Sequence, residues 1–359
     1  MGDLFRDGGP HQIRRTGDDQ HELKVELPTD DDGRLGRECP SDECEPKYFR
    51  VKLGTGVIGD ADDRLCCPYC GRESDANDLA TPEQIEFAKR IAIDEAWGGV
   101  DRMVIDALEL GPSGRRSIDC GLFSLEMSYE TEPRPAPQHP EEETLRRDVV
   151  CPRCGLDHTV FGLANWCPDC RHDVLLVHVE QEFAAIRRIV SSIGDDRDRR
   201  LKAKILENAL EDVVSAFEGS LKYLVRRVLR DRGRTPEEVE RTFAKDVRNS
   251  FQNAATGDRV FKSVLGVPLF CRSRLAEQER LQELFEKRHP ITHNLGVVDR
   301  KYVTKTGRAG REGRDLIVSM AEIDEAISIA ASVIASAHKT LFDGRRAQDE
   351  EPVAEGGES

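Results

Sequence analysis

Cysteines in spaced pairs constrain this chain more than any other feature: Cys151-Pro-Arg-Cys154, twelve residues, then Cys167-Pro-Asp-Cys170. Two Cys-x-x-Cys turns facing each other place four thiolates about 2.3 Å from one tetrahedral metal ion. Proline after the first cysteine fixes the turn. Gly155 tolerates the positive φ that lets backbone N–H groups point at the sulfurs. A second set is Cys39-Pro-Ser-Asp-Glu-Cys44, twenty-two residues, then Cys67-Pro-Tyr-Cys70-Gly71. Cys66 is an alternative to Cys67, and spacing does not choose between them. Four thiolates leave no open coordination position, so each site is structural and does not activate water. His158 and His172 lie nearby but read as exposed histidines, and Cys120 and Cys271 read as small buried residues.

Eleven cysteines are best explained as metal ligands if the compartment is reducing. No stretch approaches the roughly 18 apolar residues of a membrane span, and the acidic first thirty residues lack the apolar core of a secretion signal. The expectation is a cytoplasmic protein without a membrane partner. Both cysteine segments resemble zinc ribbons, which implies about two structural zinc ions per chain.

Local patterns divide the chain further. Residues 1–33, with Asp30-Asp31-Asp32, read as a disordered acidic arm. Residues 34–129 read as a ribbon-like module with a helical insertion. Its strands are expected within Tyr48 to Val57 and Ile118 to Met127. Its helix is expected to start at the Thr81-Pro82-Glu83-Gln84 cap, with Gly98-Gly99 interrupting it before a second stretch from Val100 to Leu110. Residues 130–147 carry four prolines and Glu141-Glu142-Glu143, the composition of a linker. The second ribbon occupies 148–173.

In 174–342 the apolar period becomes helical. Leu201, Ile205, Ala209, Val213, Phe217, Leu221, Leu224 and Val228 mark one long helix that Gly233 ends. Thr235-Pro236 opens another, Leu275 to Lys287 forms a third, and Ser319 with Glu322 caps a last one. With a helix near Val174 to Ile193, the expected fold class is multidomain α+β: two small ribbon-like β modules, then an all-α bundle of about five helices. An acidic disordered tail, 343–359, follows.

The net charge of −15 argues against nucleic acid as a partner, but it is unevenly spread. Residues 1–179 carry 21 Lys and Arg against 37 Asp and Glu, whereas residues 180–342 carry 30 against 25. Within this basic part lies Arg288-His289-Pro-Ile-Thr-His293-Asn294, an arginine followed by a polar residue and, five positions on, a histidine. The same spacing at Arg6/His11, Arg134/His139 and Arg153/His158 falls in the arm, the linker and a cysteine turn.

The segment 180–342 resembles the HEPN superfamily of helical bundles on the strength of Arg288, His289 and His293. The resemblance implies RNA binding and metal-independent endoribonuclease activity of toxin or defence type, in a homodimer that brings two motifs together. It assigns proton transfer to His293 and phosphate neutralisation to Arg288, with His289 and Asn294 as polar helpers. Arg300, Lys301, Lys305, Arg308, Arg311 and Arg314, interleaved with glycines, would follow a phosphate backbone. The alternative is a non-catalytic scaffold or adaptor whose ribbons and bundle bind a protein partner or nucleic acid. Gly54-Thr-Gly56-Val-Ile-Gly59 matches a dinucleotide fingerprint by letter only, since no helix follows it.

Overall fold

The computed structural model describes residues 5, 8, 11–17, 20–56, 64–111, 114–119, 124–130, 147–193, 198–307 and 312–349, with backbone alone for 125 and 343–349. Contacts divide the chain into two units, Met1–Gly162 with Trp166–His172 and Leu163–Asn165 with Asp173–Ser359.

The first unit opens with a two-stranded ribbon, β1 (Arg14–Arg15) and β2 (His21–Glu22), where composition suggests a disordered arm. Ile13 is buried beside it, and Asp30 accepts an ion pair from buried Arg50 at 3.0 Å. The strands β3 (Arg34–Glu38) and β4 (Tyr48–Lys52) flank Cys39 and Cys44. The strands β9 (Arg147–Val150) and β10 (Asp157–Val160) flank Cys151 and Cys154. All four form one antiparallel sheet in the order β3-β4-β10-β9. The two cysteine modules therefore share a sheet, with β4 and β10 at its centre, Val51 opposite His158 and Phe49 opposite Val160. Across β4, Arg34 of β3 reaches Asp157 of β10 at 2.8 Å, a buried charge matched by a carboxylate. A short pair, β5 (Arg64–Cys66) and β6 (Glu73–Asp75), carries the next cysteine turn.

The helix α1 (Pro82–Ala107) begins with the expected capping box, Thr81 and Gln84 bonding each other's backbone N–H. It runs unbroken through Gly98-Gly99, where the sequence predicts an interruption. Each glycine costs a helix only about 1 kcal/mol, and Gly99 occupies a buried position where no side chain is needed. In place of one strand over Ile118 to Met127 there is a hairpin, β7 (Arg115–Asp119) with β8 (Ser124–Ser128). The linker residues 131–146 lie outside the described residues, as does Cys120.

The second unit contains α2 (Leu175–Ser191), α3 (Arg199–Asp231), α4 (Pro236–Thr242), α5 (Ala254–Leu265), α6 (Leu275–Glu286), α7 (Arg288–His293), α8 (Arg300–Thr306) and α9 (Met320–Asp349). Among the described residues eight helices stand where periodicity predicts about five. α4 is the helix that the Thr235-Pro236 cap predicts; the three beyond the expected five are α5, α7 and α8, and α7 and α8 span two turns or fewer, too short to show a period. The helix α3, about 50 Å long, is the axis, with Leu210, Val213, Val214, Phe217, Leu221, Leu224 and Val228 buried against α2 and α9. Phe217 meets Phe285 of α6 edge-on at 5.4 Å. The last helix extends to Asp349, into the stretch whose composition suggests a disordered tail; 350–359 lie outside the described residues.

A polar clasp closes this core. Asp173 accepts from Arg227 at 2.7 Å and faces His338 Nε2 at 2.9 Å, and the Arg227 guanidinium stacks 3.9 Å over Phe342. Burial alone would raise the Asp173 carboxyl. The His338 hydrogen bond and the Arg227 charge outweigh burial and hold it well below the usual carboxylate range. Among the described residues no helix is long and apolar enough to cross a membrane.

Candidate functional site

Three cysteine turns repeat one backbone pattern. The N–H of the first cysteine donates to the carbonyl five residues on: Cys67 to Arg72, Cys151 to Leu156 and Cys167 to His172, at 2.8 to 2.9 Å. The N–H of the residue after the second cysteine returns to the first cysteine's carbonyl. That residue needs a left-handed backbone, supplied by Gly71 (φ 78°), Gly155 (φ 79°) and, in the third turn, Arg171 (φ 56°). Gly71 is required twice over, because a Cβ there would stand 2.8 Å from the Trp166 indole nitrogen.

These turns assemble two clusters, Cys39, Cys44, Cys67 and Cys70, and Cys151, Cys154, Cys167 and Cys170, each with its sulfurs within 4.8 Å of one another. The Cys39–Cys70 and Cys44–Cys67 separations are 3.7 and 3.6 Å; Cys151–Cys170 and Cys154–Cys167 repeat them at 3.7 and 3.6 Å. A tetrahedron with arms of about 2.3 Å has edges of about 3.8 Å, so both clusters fit a zinc ion, whereas a disulfide needs about 2.05 Å. Burial pushes the Cys154 thiol up to about 12 and the Cys167 thiol higher, so thiolates at these positions need a cation against them. The chain thus carries two tetracysteine groups able to bind two zinc ions.

The first cluster contains Cys67 and not Cys66. Cys66 is buried beside it, its sulfur 3.5 Å from the Cys67 carbonyl and its thiol pushed up to about 12 by burial. His158 is fully buried in β10, not exposed, and lies outside both clusters; His172 is half-buried and contributes its carbonyl to the third turn. Cys271 is exposed rather than buried, 3.1 Å from the Ser273 hydroxyl.

The two clusters are joined by reciprocal hydrogen bonds. Cys66 N–H donates to the Pro168 carbonyl at 2.7 Å, and Trp166 N–H donates to the Pro68 carbonyl at 3.1 Å. In each case the residue preceding a turn bonds the proline inside the other. With β4 and β10 at the centre of the sheet, the two ribbon halves are related by an approximate internal twofold.

Pro290 shapes the second site. Its ring has no N–H for the Glu286 carbonyl, so α6 closes and α7 restarts at Arg288. α7 ends where Asn294 N–H and Gly296 N–H both return to the Pro290 carbonyl, with Leu295 (φ 53°) and Gly296 (φ 81°) left-handed. At Gly296 a Cβ would stand 2.7 Å from Glu207 Oε1. His289 and His293, one turn apart, face each other with ring centroids 5.1 Å apart. His289 Nε2 lies 3.2 Å from Asp299, and His293 is exposed. Asp299 also caps α8, accepting the Tyr302 N–H. That bond, ahead of the smaller effect of His289, holds its carboxyl low.

Arg288 departs from this group. Five residues before His293 on a helix, it lies about 140° around the axis, and its guanidinium donates to Gln252 Oε1 at 2.6 Å. Asn294 bonds the Val297 carbonyl at 2.6 Å, holding the turn. Of the basic run, Arg300 and Lys301 are exposed on α8, a helix where the sequence suggests a flexible loop. Lys305 pairs with Glu286 at 2.8 Å and Arg314 is exposed, while Arg308 and Arg311 lie outside the described residues. Sequence reasoning missed Asp299 and Gln252: the first is legible as a helix cap, but neither partnership shows in local spacing. Comparison of the chain with protein families, with curated proteins and with solved structures gives no match in any of the three.

Proposed function

We propose that this is a zinc-stapled, RNA-binding protein whose helical unit is HEPN-like and cuts RNA as a homodimer, with no metal at the reacting phosphate. The observation that carries the reading is the exposed imidazole of His293 packed at a tilt of 52° against a second imidazole, His289, that a carboxylate orients. Imidazole changes charge near neutral pH and suits proton transfer. In the proposed step His293 accepts the proton of a ribose 2′-hydroxyl, whose oxygen attacks the adjacent phosphorus. The bond to the 5′-oxygen breaks, leaving a 2′,3′-cyclic phosphate, and the His293 of a second copy protonates the departing oxygen. Exposed Arg300 and Lys301 on the neighbouring helix supply sequence-independent attraction for the backbone. Zinc has no part in this step, since both clusters use all four positions on cysteine.

The test is cleavage of labelled RNA by the full chain in EDTA, with zinc content checked after the assay. His293→Ala is expected to lower the rate about a hundredfold or more while RNA binding persists. Binding without products from the unaltered protein would discard cleavage. A specific observation favours the second reading, a non-catalytic adaptor: Arg288 turns to Gln252 and away from the histidine face.

A further inference from the structure

A cavity of about 550 Å³ opens between the start of α3, the turn after α7 and the strand-like residues 315–316. Its walls include Arg199, Arg200, Ala203, Glu207, Leu295 and Leu316. Thr292 bonds Glu211 of α3, and Glu211 is one helical turn beyond Glu207 on the same face. The cavity therefore adjoins the segment that carries His293.

Three properties define what the cavity would hold. Arg199 and Arg200 have no ion-pair partner among the described residues, whereas Asp198 caps α3 and Glu207 pairs with Lys204 at 3.3 Å; Asp315 adds a third carboxylate to the lining. Two arginines lining one cavity suit a phosphate. Leu295 is 88% exposed and held left-handed at the rim, an arrangement that costs about 1 kcal/mol and leaves an apolar face in water. The Glu207 carboxylate reaches past the bare Cα of Gly296 and can accept hydrogen bonds from a ribose hydroxyl or an exocyclic amine. The volume falls within the roughly 300 to 1,000 Å³ of small-ligand sites, enough for one nucleotide and too little for a duplex.

We infer that this cavity is a subsite for one unstacked nucleotide: phosphate against Arg199 and Arg200, base over Leu295, sugar or base edge toward Glu207. This rests on the RNA reading above and deepens it, because a base can enter only if it is free of a helix. The substrate class is therefore single-stranded RNA.

The test uses the full chain carrying His293→Ala and a single-stranded hexaribonucleotide with one 2-aminopurine, whose fluorescence rises on unstacking. A saturable rise is expected, with affinity falling at least tenfold in Ala203→Trp, which fills the cavity from an exposed helix position, and in Arg199→Glu/Arg200→Glu. Circular dichroism checks the fold of each variant. Equal affinity for the same strand in a duplex, or no effect of Ala203→Trp in a folded protein, overturns the subsite. Cleavage by the unaltered chain is scored separately, so the subsite can fail while the nuclease reading stands, and binding without cleavage retains the subsite alone.

Discussion

His158 shows how one side chain sets a pH limit. It sits fully buried in the central strand β10, and burial pushes its pKa down to about 4. An unfolded histidine titrates near 6.5, so between these values the unfolded chain binds a proton that the folded chain refuses. Stability is complete above about 6.5 and falls as pH drops toward 4, by up to about 3 kcal/mol. Urea midpoints at pH 7.5 and 5.0 under saturating zinc measure this, and His158→Gln is expected to flatten the difference. A histidine four residues past a cysteine ligand reads as surface or ligand; only the register of β10 between β4 and β9 shows that it is interior.

At the scale of elements, what was legible followed from local rules. The cysteine turns and the capping boxes of α1, α4 and α9 depend on residues within five positions of one another, and the structure contains all of them. The two cysteine groupings follow from the same spacing, but the choice between Cys66 and Cys67 does not: it needs β5, which places Cys66 in a strand. What was not legible depends on distant pairing: the joining of β4 to β10, the meeting of His289 with Asp299 and the diversion of Arg288 to Gln252. The link between turns has an energetic consequence. Cys66 and Trp166 each donate across to the other turn, so loosening one site removes support from its neighbour. Cys154→Ser is expected to lower bound zinc by more than one ion per chain when the protein is dialysed against a weak chelator, read by atomic emission. A loss of one ion alone would show that the sites are independent.

At the scale of the whole molecule, the charge is divided between an acidic segment, 1–179, and a mildly basic one, 180–342. Nucleic acid bound through the few exposed cations near α7 and α8 would release few counterions. The affinity for single-stranded RNA is expected to fall with salt at a slope corresponding to about two to four phosphates. Fluorescence anisotropy between 50 and 300 mM salt gives that slope, and a flat response would mean that phosphate contacts do not drive binding.

The shared sheet bears on how the polypeptide could be severed. Its two innermost strands come from opposite sides of residues 131–146, so the join between them is made by hydrogen bonds, the Arg34–Asp157 bridge and the crossed turns, and does not rely on the connecting peptide. A protein nicked within that stretch should migrate as one particle in native chromatography and come apart only when denatured. Two separately produced pieces, mixed with zinc, should likewise complement each other.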